Sequence, residues 1–317
     1  MTRFDQLLAS EKPIILDGAM GTELEYQGYN VAGNLWSAKY LAQDASALTK
    51  IHLDYLRAGA TIITSASYQA SFPGLLEAGY AEEEIPTLLQ KSVHLVQQAI
   101  TTYWSSLSQE EKETRIYPLA AASLGPYAAY LADGSEYTGV YQVSKEELKT
   151  FHRPRIQALL EAKPDLLLIE TIPNFLETEA LLELLETDFS TVQALISFTS
   201  QDGATISDGT PIEEVADLCD KCPQILAIGL NCTAPHHISS LLKKMRGVTQ
   251  KPLATYPNSG EIYDGIHKTW HQDPDNQHTL AENSLEWAKE GVQIFGGCCR
   301  TRPSDIQNLA QQLTKQS

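Results

Sequence analysis

The chain reads Val292-Gln-Ile-Phe-Gly-Gly-Cys-Cys-Arg300 near its C-terminal end, a short apolar run that stops at two glycines and two adjacent cysteines. A short, continuous apolar run is typical of a strand that is buried on both faces of a parallel sheet. Similar runs recur along the chain, and most of them are followed by a polar residue or glycine. Eight such runs are found, at residues 13–16, 60–64, 116–122, 165–169, 192–198, 225–230, 252–256 and 292–295.

Segments with the apolar period of an amphipathic helix lie between these runs. Strand and helix alternating eight times predict an α/β fold, a (β/α)8 barrel, and we expect residues 1–317 to form one such domain. A doubly wound sheet is the alternative, but the turn after the first strand lacks a Gly-x-Gly-x-x-Gly phosphate loop. The predicted helices are at 45–58, 86–104, 146–162, 176–186, 212–220, 237–245, 280–290 and 304–314.

The overall charge restricts the possible partners. The chain has 317 residues and a formal net charge of −17. Nucleic acids and anionic membranes attract basic surfaces, so we expect neither as a partner. The N-terminal residues include charges and no apolar signal core, and the five cysteines are an odd number, which does not suggest a disulfide framework. We therefore expect a cytoplasmic protein with reduced thiols.

Three of the cysteines follow predicted strands: Cys232 comes after the sixth strand, and Cys298 and Cys299 come after the eighth. Thiols gathered in this way are typical ligands of Zn²⁺, here in a three-sulfur site with one open position. The alternative is that they are small buried apolar residues. The other pair, Cys219-x-x-Cys222, has no second pair at zinc-finger spacing, and we predict no metal there.

Two adjacent cysteines need an unusual backbone to share one ion. Adjacent residues on a regular strand point to opposite faces of the sheet. Cys298 and Cys299 can therefore bind the same ion only if the backbone departs from strand geometry. We expect Gly296 and Gly297 to permit this departure, because glycine readily adopts positive φ and forms bulges.

Other polar residues follow the predicted strands at the same end of the barrel, where the active sites of such barrels lie. Asp17 follows the first strand, Ser65 the second, Glu170 the fourth and Asn231 the sixth. The two carboxylates could bind an ammonium group, and backbone amides from Gly18 onwards could receive a carboxylate. An ion held by three thiolates is suited to a fourth thiol, because coordination removes the thiol proton. These features indicate an amino-acid thiol as substrate, although Asp17 could equally be a helix N-cap or turn residue.

Aromatic residues are frequent in the loops at this end of the predicted barrel. Most of them are expected to pack in the core or at the rim. One or two ring faces would also hold a cationic sulfonium group, with about 0.5–2 kcal/mol from each ring. Thiolate attack on a sulfonium removes both charges, so a site that excludes water favours it. These residues are Trp36, Tyr68, Phe72, Tyr127, Tyr130 and Tyr137.

Several motifs resemble those of the zinc-dependent homocysteine S-methyltransferases, and the similarity extends over nearly the whole chain. Further motifs are similar to the stand-alone branch that uses S-methylmethionine, and often S-adenosylmethionine, as methyl donor. The family motifs are Asp17-Gly-Ala-Met-Gly-Thr-Glu-Leu-Glu25, Gly229-Leu-Asn-Cys-Thr233 and Gly296-Gly-Cys-Cys-Arg300, and the branch motifs include Leu35-Trp-Ser-Ala-Lys39 and His152-Arg-Pro-Arg155.

The resemblance implies a (β/α)8 barrel in which Cys232, Cys298 and Cys299 bind Zn²⁺. It implies that L-homocysteine binds this ion as a thiolate and takes a methyl group from S-methylmethionine to form L-methionine, with S-adenosylmethionine as a further donor. The partners are then small molecules, and we expect no cobalamin. The residues expected to bind homocysteine are Asp17, Gly18, Ser65, Glu170 and Asn231, and those expected to contact the donor are Trp36, Tyr68, Tyr127 and Tyr130.

Two alternatives remain at the level of sequence. The first is the same reaction with betaine as methyl donor. The second is a non-enzymatic protein with a closed structural zinc site, which requires a fourth protein ligand that the chain does not obviously supply.

Overall fold

A computed structural model describes residues 2–10, 12–33, 35–264, 269–272, 276 and 278–315. Within these residues, eight parallel strands form one sheet and two further strands form a separate hairpin. The strands are β1 (Ile14–Ile15), β2 (Ile62–Thr64), β3 (Leu119–Leu124), β4 (Leu166–Ile172), β5 (Ala194–Phe198), β6 (Ile225–Asn231), β7 (Leu253–Tyr256), β8 (Glu261–Asp264), β9 (Thr269–Gln272) and β10 (Val292–Phe295).

The larger sheet runs in the order β1-β10-β7-β6-β5-β4-β3-β2, so the last strand of the chain lies beside the first. Ile14 pairs with Ile294 across β1 and β10. The two ends of this order, β1 and β2, are joined by a parallel bridge between Leu16 and Ile62. The strands therefore form a barrel, and the predicted (β/α)8 fold is confirmed.

Helices alternate with the barrel strands. Those at Ala45–Ala58 and Ile212–Asp220 have the bounds that the sequence predicts. None of the described helices combines the length and the apolar character needed to cross a membrane. The helices are α1 (Arg3–Leu8), α2 (Met20–Tyr26), α3 (Tyr40–Gln43), α4 (Ala45–Ala58), α5 (Phe72–Glu77), α6 (Ile85–Ser106), α7 (Gln109–Thr114), α8 (Tyr127–Leu131), α9 (Lys145–Glu161), α10 (Phe175–Thr187), α11 (Ile212–Asp220), α12 (Pro235–Arg246), α13 (Leu280–Lys289) and α14 (Pro303–Thr314), with short 3₁₀ turns at Trp36–Lys39, Glu82–Glu84 and Ser135–Tyr137.

The interior of the barrel is filled by apolar side chains from its strands. Helix α1 closes one end, because Phe4 and Leu7 pack into the same cluster. This helix begins with a capping box formed by Thr2 and Asp5, which fixes where it starts. Full burial of a side chain such as Phe4 contributes about 1.5–3 kcal/mol. The strand residues of the cluster are Ile14, Leu16, Ile62, Leu119, Ala121, Leu166, Leu168, Leu195, Ala227, Ala254, Tyr256 and Ile294.

The inward-facing positions become polar towards the carboxyl ends of the strands. Alternate residues of a strand share a face, so the row that includes Leu166 and Leu168 continues to Glu170. A ring of polar side chains therefore lies at the mouth of the barrel, above the apolar interior. By the same spacing, Ala121 leads to Ser123, Leu195 to Ser197 and Ala227 to Asn231.

The hairpin of β8 and β9 lies between β7 and α13, and pairs Glu261 with Gln272. It is not among the eight predicted strands, because its sequence is largely polar and has no continuous apolar run. The Glu261 carboxylate accepts a hydrogen bond from Arg300 Nε at 2.6 Å. This ion pair ties the start of the hairpin to the loop that follows β10.

Candidate functional site

Cysteine sulfurs from two distant parts of the chain meet at the mouth of the barrel. Cys232 Sγ lies 2.6 Å from Cys298 Sγ and 3.8 Å from Cys299 Sγ, and the three sulfurs lie within 4.8 Å of one another. Ligands about 2.3 Å from a tetrahedral ion are about 3.8 Å apart. The distance from Cys232 to Cys299 has this value, whereas the shorter distance to Cys298 is a close contact between two thiols. The three side chains form a possible metal site.

Gly296 and Gly297 make the site possible through close packing, and neither adopts positive φ, which corrects the expectation from sequence. A Cβ atom at Gly296 would lie 2.6 Å from Leu16 Cβ, and one at Gly297 would lie 2.3 Å from Thr301 Oγ1. The unusual backbone occurs instead at Cys232, where φ is 47°. Such a conformation costs about 1–3 kcal/mol, so it persists only where the surrounding structure fixes it.

The chemistry of the three thiols fits a metal ion. The pKa of Cys232 is well above that of a free thiol, because the side chain is hydrogen-bonded to Cys298 and Cys299 and is buried. Three thiolates in one buried cluster would repel each other strongly. A divalent cation offsets this repulsion, and cysteine ligands lose their protons when they bind it.

The side chain of Asn231 lies next to the three cysteines and is fixed by hydrogen bonds to neighbouring strands. Its Oδ1 accepts hydrogen bonds from Thr171 N–H and from Ser197 Oγ, both at 2.9 Å. Its Nδ2 donates to Thr171 Oγ1 at 2.7 Å and lies 3.9 Å from Cys298 Sγ. The side chain is fully buried and is not among the residues that line the cavity. The structure therefore places Asn231 behind one of the sulfurs and not at the surface that a substrate would touch.

Asp17 is tied to the neighbouring strand. Its carboxylate accepts hydrogen bonds from Thr64 N–H at 2.8 Å and Thr64 Oγ1 at 3.0 Å. The alternative that Asp17 is a helix N-cap is wrong, because α2 begins after Ala19. Burial raises the pKa of Asp17 to about 8, although the bonds from Thr64 lower it, and the charge of Glu170 raises it further.

Glu170 is the second carboxyl group at the mouth. Its Oε1 accepts a hydrogen bond from Ser123 Oγ. Burial raises the pKa of Glu170 to about 8, against the lowering effect of the bond from Ser123, and the nearby Cys298 raises it further. Both carboxyl groups therefore tend to keep a proton near neutral pH while no cation is present. An ammonium group between them would favour the ionised forms.

The raised pKa of Asp17 predicts a pH-dependent change in stability. The folded protein keeps this proton up to about pH 8, whereas a free aspartate releases it near 3.8. The stability from protonated Asp17 is thus complete below about pH 4 and is lost as the pH rises to about 8. We expect Asp17→Asn to become more stable relative to the unmodified protein over this range, by roughly 5–6 kcal/mol, since the pKa rises from 3.8 to about 8 and each pKa unit corresponds to about 1.4 kcal/mol.

Urea unfolding of both proteins without substrate, at pH 5 and at pH 8.5, measures this difference. Asp54→Asn is the control, because Asp54 is paired with Arg57 on the surface of α4. If the free energy of unfolding differed by the same amount between Asp17→Asn and the unmodified protein at both pH values, the carboxyl group of Asp17 would ionise normally.

One cavity of about 1630 Å³ connects the three cysteines, Asp17 and Glu170. Gly18 and Ser65 also line it. Ser65 Oγ accepts a hydrogen bond from Ser123 N–H at 3.0 Å, so this hydroxyl sits beside the partner of Glu170. The amide of Ala19 is one of the backbone amides that were expected to receive a carboxylate, but it already donates a hydrogen bond to Thr301 Oγ1 at 3.3 Å. The predicted homocysteine residues other than Asn231 therefore face one space.

The aromatic residues separate into two groups. Trp36, Tyr68 and Tyr137 line the cavity. Trp36 lies against α2, where a Cβ atom on Gly21 would lie 2.5 Å from its ring. Trp36 also has a positive φ of 46°, a strain that the sequence does not reveal.

The second aromatic group lies outside the cavity walls. Tyr127 packs against Tyr130 and Phe151, with ring centroids 5.6 Å and 4.9 Å apart. Tyr130 Oη donates to Glu77 Oε1 at 2.7 Å. Neither Tyr127 nor Tyr130 is among the residues that line the cavity. The structure thus does not bring these two predicted donor residues to the site, because both lie in α8, where their rings pack against Phe151 of α9.

Arg155 is a buried charge behind the cavity wall whose role the sequence does not indicate. The side chain is 1% exposed, and its guanidinium donates to the carbonyl oxygens of Ser67 at 2.9 Å, Gly125 at 2.8 Å and Tyr68. These carbonyls belong to the loops after β2 and β3. Arg155 therefore joins the two loops and fixes the backbone of Tyr68.

The two other cysteines pack in the apolar core at the end of α11. Cys222 Sγ donates to Gln224 Oε1 at 3.2 Å, and burial raises the pKa of the Cys219 thiol. Neither thiol belongs to the three-sulfur group.

Known proteins share this fold and these sequence features. A model of the family described as homocysteine S-methyltransferase matches residues 14–313. The homocysteine S-methyltransferase of Escherichia coli K12 is 46% identical over 303 residues, which cover 96% of each chain. Homocysteine S-methyltransferase YbgG of Bacillus subtilis is 44% identical over 314 residues, covering 98% of this chain and 97% of that protein.

The crystal structure of the metallated form of the homocysteine methyltransferase MmuM from Escherichia coli superposes with a TM-score of 0.87, at 42% identity. The superposition covers 98% of this chain and 99% of that one. The barrel, the three-sulfur cluster and these matches over nearly the full length lead to one assignment. The chain belongs to the homocysteine S-methyltransferase family and is a methyltransferase.

Proposed function

We propose that this enzyme moves a methyl group from S-methylmethionine to the thiol of L-homocysteine at a Zn²⁺ site, and that the one barrel performs the whole reaction. The proposal is carried by one observation: three cysteine sulfurs and two buried carboxyl groups face the same cavity. Zn²⁺ held by Cys232, Cys298 and Cys299 would leave one position for the substrate thiol and would displace its proton.

Asp17 and Glu170 are suited to the ammonium group of homocysteine. Both are buried and both have a pKa raised to about 8. An ammonium group that binds between them would lower these pKa values, so the carboxyl groups would lose their protons as it binds. Thr64 fixes the orientation of Asp17, and Ser123 fixes that of Glu170. The amino acid is thereby held at one end while its thiol points to the cysteines. Such orientation of a reactant is a large part of catalysis in a bimolecular reaction.

Trp36 and Tyr68 are the predicted donor residues that reach the cavity, and Tyr137 lies with them. Their rings attract a sulfonium through cation–π contact and exclude water from it. As the methyl carbon bonds to the thiolate sulfur, its bond to the sulfonium sulfur breaks and that electron pair stays on the donor. The donor becomes a neutral thioether, and with S-methylmethionine both products are methionine.

The test is a comparison of methyl donors with purified enzyme and L-homocysteine. We expect S-methylmethionine to give the highest kcat/KM, with slower turnover from S-adenosylmethionine and none from betaine. A zinc chelator should abolish the activity, and added Zn²⁺ should restore it. A preference for betaine, or full activity after the metal has been removed, would overturn the proposal.

A further inference from the structure

We propose that Glu136 is a specificity-determining residue that binds the α-ammonium group of the methyl donor, so that the site selects sulfonium donors that are amino acids. The inference rests on the proposed function and adds a second recognition point to it. It concerns the donor, whereas Asp17 and Glu170 are assigned to homocysteine.

One carboxylate oxygen of Glu136 has no hydrogen-bond partner among the described residues. The residue lies in the 3₁₀ turn Ser135–Tyr137 after β3 and lines the cavity. Its Oε2 is buried and accepts no hydrogen bond from any described residue. A buried carboxylate oxygen without a partner costs free energy, so its presence at a cavity wall indicates a ligand that supplies a hydrogen bond and the opposite charge.

The neighbouring acid is already engaged. Asp133 Oδ1 accepts hydrogen bonds from Ser135 N–H at 3.0 Å and from Ser135 Oγ at 2.5 Å, which shapes the turn. Of the described lining residues, Arg300 is the one arginine or lysine, and it is paired with Glu261 at 2.6 Å. No lysine or arginine on the described wall is therefore left to neutralise Glu136.

Glu136 is placed beside the groups expected to hold the donor. Glu136 lines the same cavity as the rings of Tyr68 and Tyr137 and the sulfur-bearing Cys299. A donor whose sulfonium lies between the rings and the substrate thiol would extend its amino-acid end along this wall. The ammonium group of that end is the cation that fits Glu136.

The same carboxylate would be poorly placed against the sulfonium itself. The sulfonium charge disappears in the reaction, so a contact with it would stabilise the ground state more than the transition state and slow the methyl transfer. The ammonium charge is unchanged throughout. A contact with the ammonium gives equal binding in both states, and its loss raises KM while kcat stays nearly constant.

The experiment compares the unmodified enzyme, Glu136→Gln and Glu136→Asp with two donors at saturating homocysteine. The donors are S-methylmethionine and 3-dimethylsulfoniopropionate, which has a sulfonium and a carboxylate but no ammonium group. Glu136→Gln should raise KM for S-methylmethionine roughly 10- to 100-fold, with kcat within about threefold. It should leave kcat/KM for the sulfoniopropionate unchanged, and Glu136→Asp should recover most of the loss.

Glu25→Gln is the matched control, because Glu25 is an exposed carboxylate at the rim of the same cavity. Removal of the unpartnered charge should also leave the thermal unfolding temperature of Glu136→Gln no lower than that of the unmodified enzyme. Equal losses with both donors, or a loss confined to KM for homocysteine, would overturn the inference and leave the proposed function intact. An unmodified enzyme that does not use S-methylmethionine would overturn both.

Discussion

Cys298→Ala is expected to remove the bound metal and to lower methyl transfer by at least about 10³-fold, while the barrel stays folded. The loss follows because two remaining sulfurs hold Zn²⁺ poorly, and a free thiol with a pKa near 8.5 is mostly protonated at neutral pH. The fold should persist because Cys298 is half-buried at the mouth, beyond the apolar interior. Zinc content, steady-state activity and thermal unfolding measured on the same preparation test this expectation.

Cys222→Ser is the control for the loss of a thiol. Unlike the half-buried Cys298, Cys222 is fully buried in the core at the end of α11, where it contacts Gln224. We expect this variant to keep its zinc and its activity. If Cys298→Ala instead lost its cooperative unfolding together with the metal, the ion would be a structural one, as in the non-enzymatic alternative.

Glu170→Gln is expected to lower kcat/KM for homocysteine by about 30- to 1000-fold, mainly through a higher KM. Loss of one member of a buried charge pair costs about 2–4 kcal/mol, and each 1.4 kcal/mol is a factor of ten. Glutamine has the same shape as glutamate and keeps an oxygen for the hydrogen bond from Ser123. The change therefore removes the charge and little else.

Steady-state kinetics with varied homocysteine at saturating donor measures this loss, and zinc analysis checks that the metal is retained. Glu25→Gln, which removes a carboxylate at the rim, should leave the kinetics unchanged. An unaltered KM for homocysteine combined with a raised KM for the donor would show that Glu170 binds the donor and not homocysteine.

Much of the fold could be predicted from the sequence because the barrel strands are buried on both faces. This burial produces continuous apolar runs, and the alternation with amphipathic helices then has few topological solutions. The meeting of Cys232 with Cys298 and Cys299 follows from the same reasoning, since parallel strands in a barrel all present their carboxyl ends at one mouth. The hairpin at Glu261–Gln272 is missed, because a polar segment carries no comparable signal.

Loop residues were predicted less well than strand residues. Tyr68 and Tyr127 both follow strands and both are aromatic, yet Tyr68 lines the cavity and Tyr127 packs against Phe151. Their directions depend on how the loops after β2 and β3 fold over the barrel, and Arg155 fixes part of that arrangement from a helix distant in the chain. Residue type alone carries no information about such a contact.

The sequence by itself determined the barrel and the end of it at which polar residues gather, because both depend on apolar periodicity within short segments. Only the tertiary structure decided how those residues act. Contacts between strands bind Asp17 to Thr64, and close packing against Leu16 requires the absence of a side chain at Gly296. One carboxylate oxygen of Glu136 is left without a partner in the same way. These features depend on distances between segments far apart in the chain, which no local pattern records.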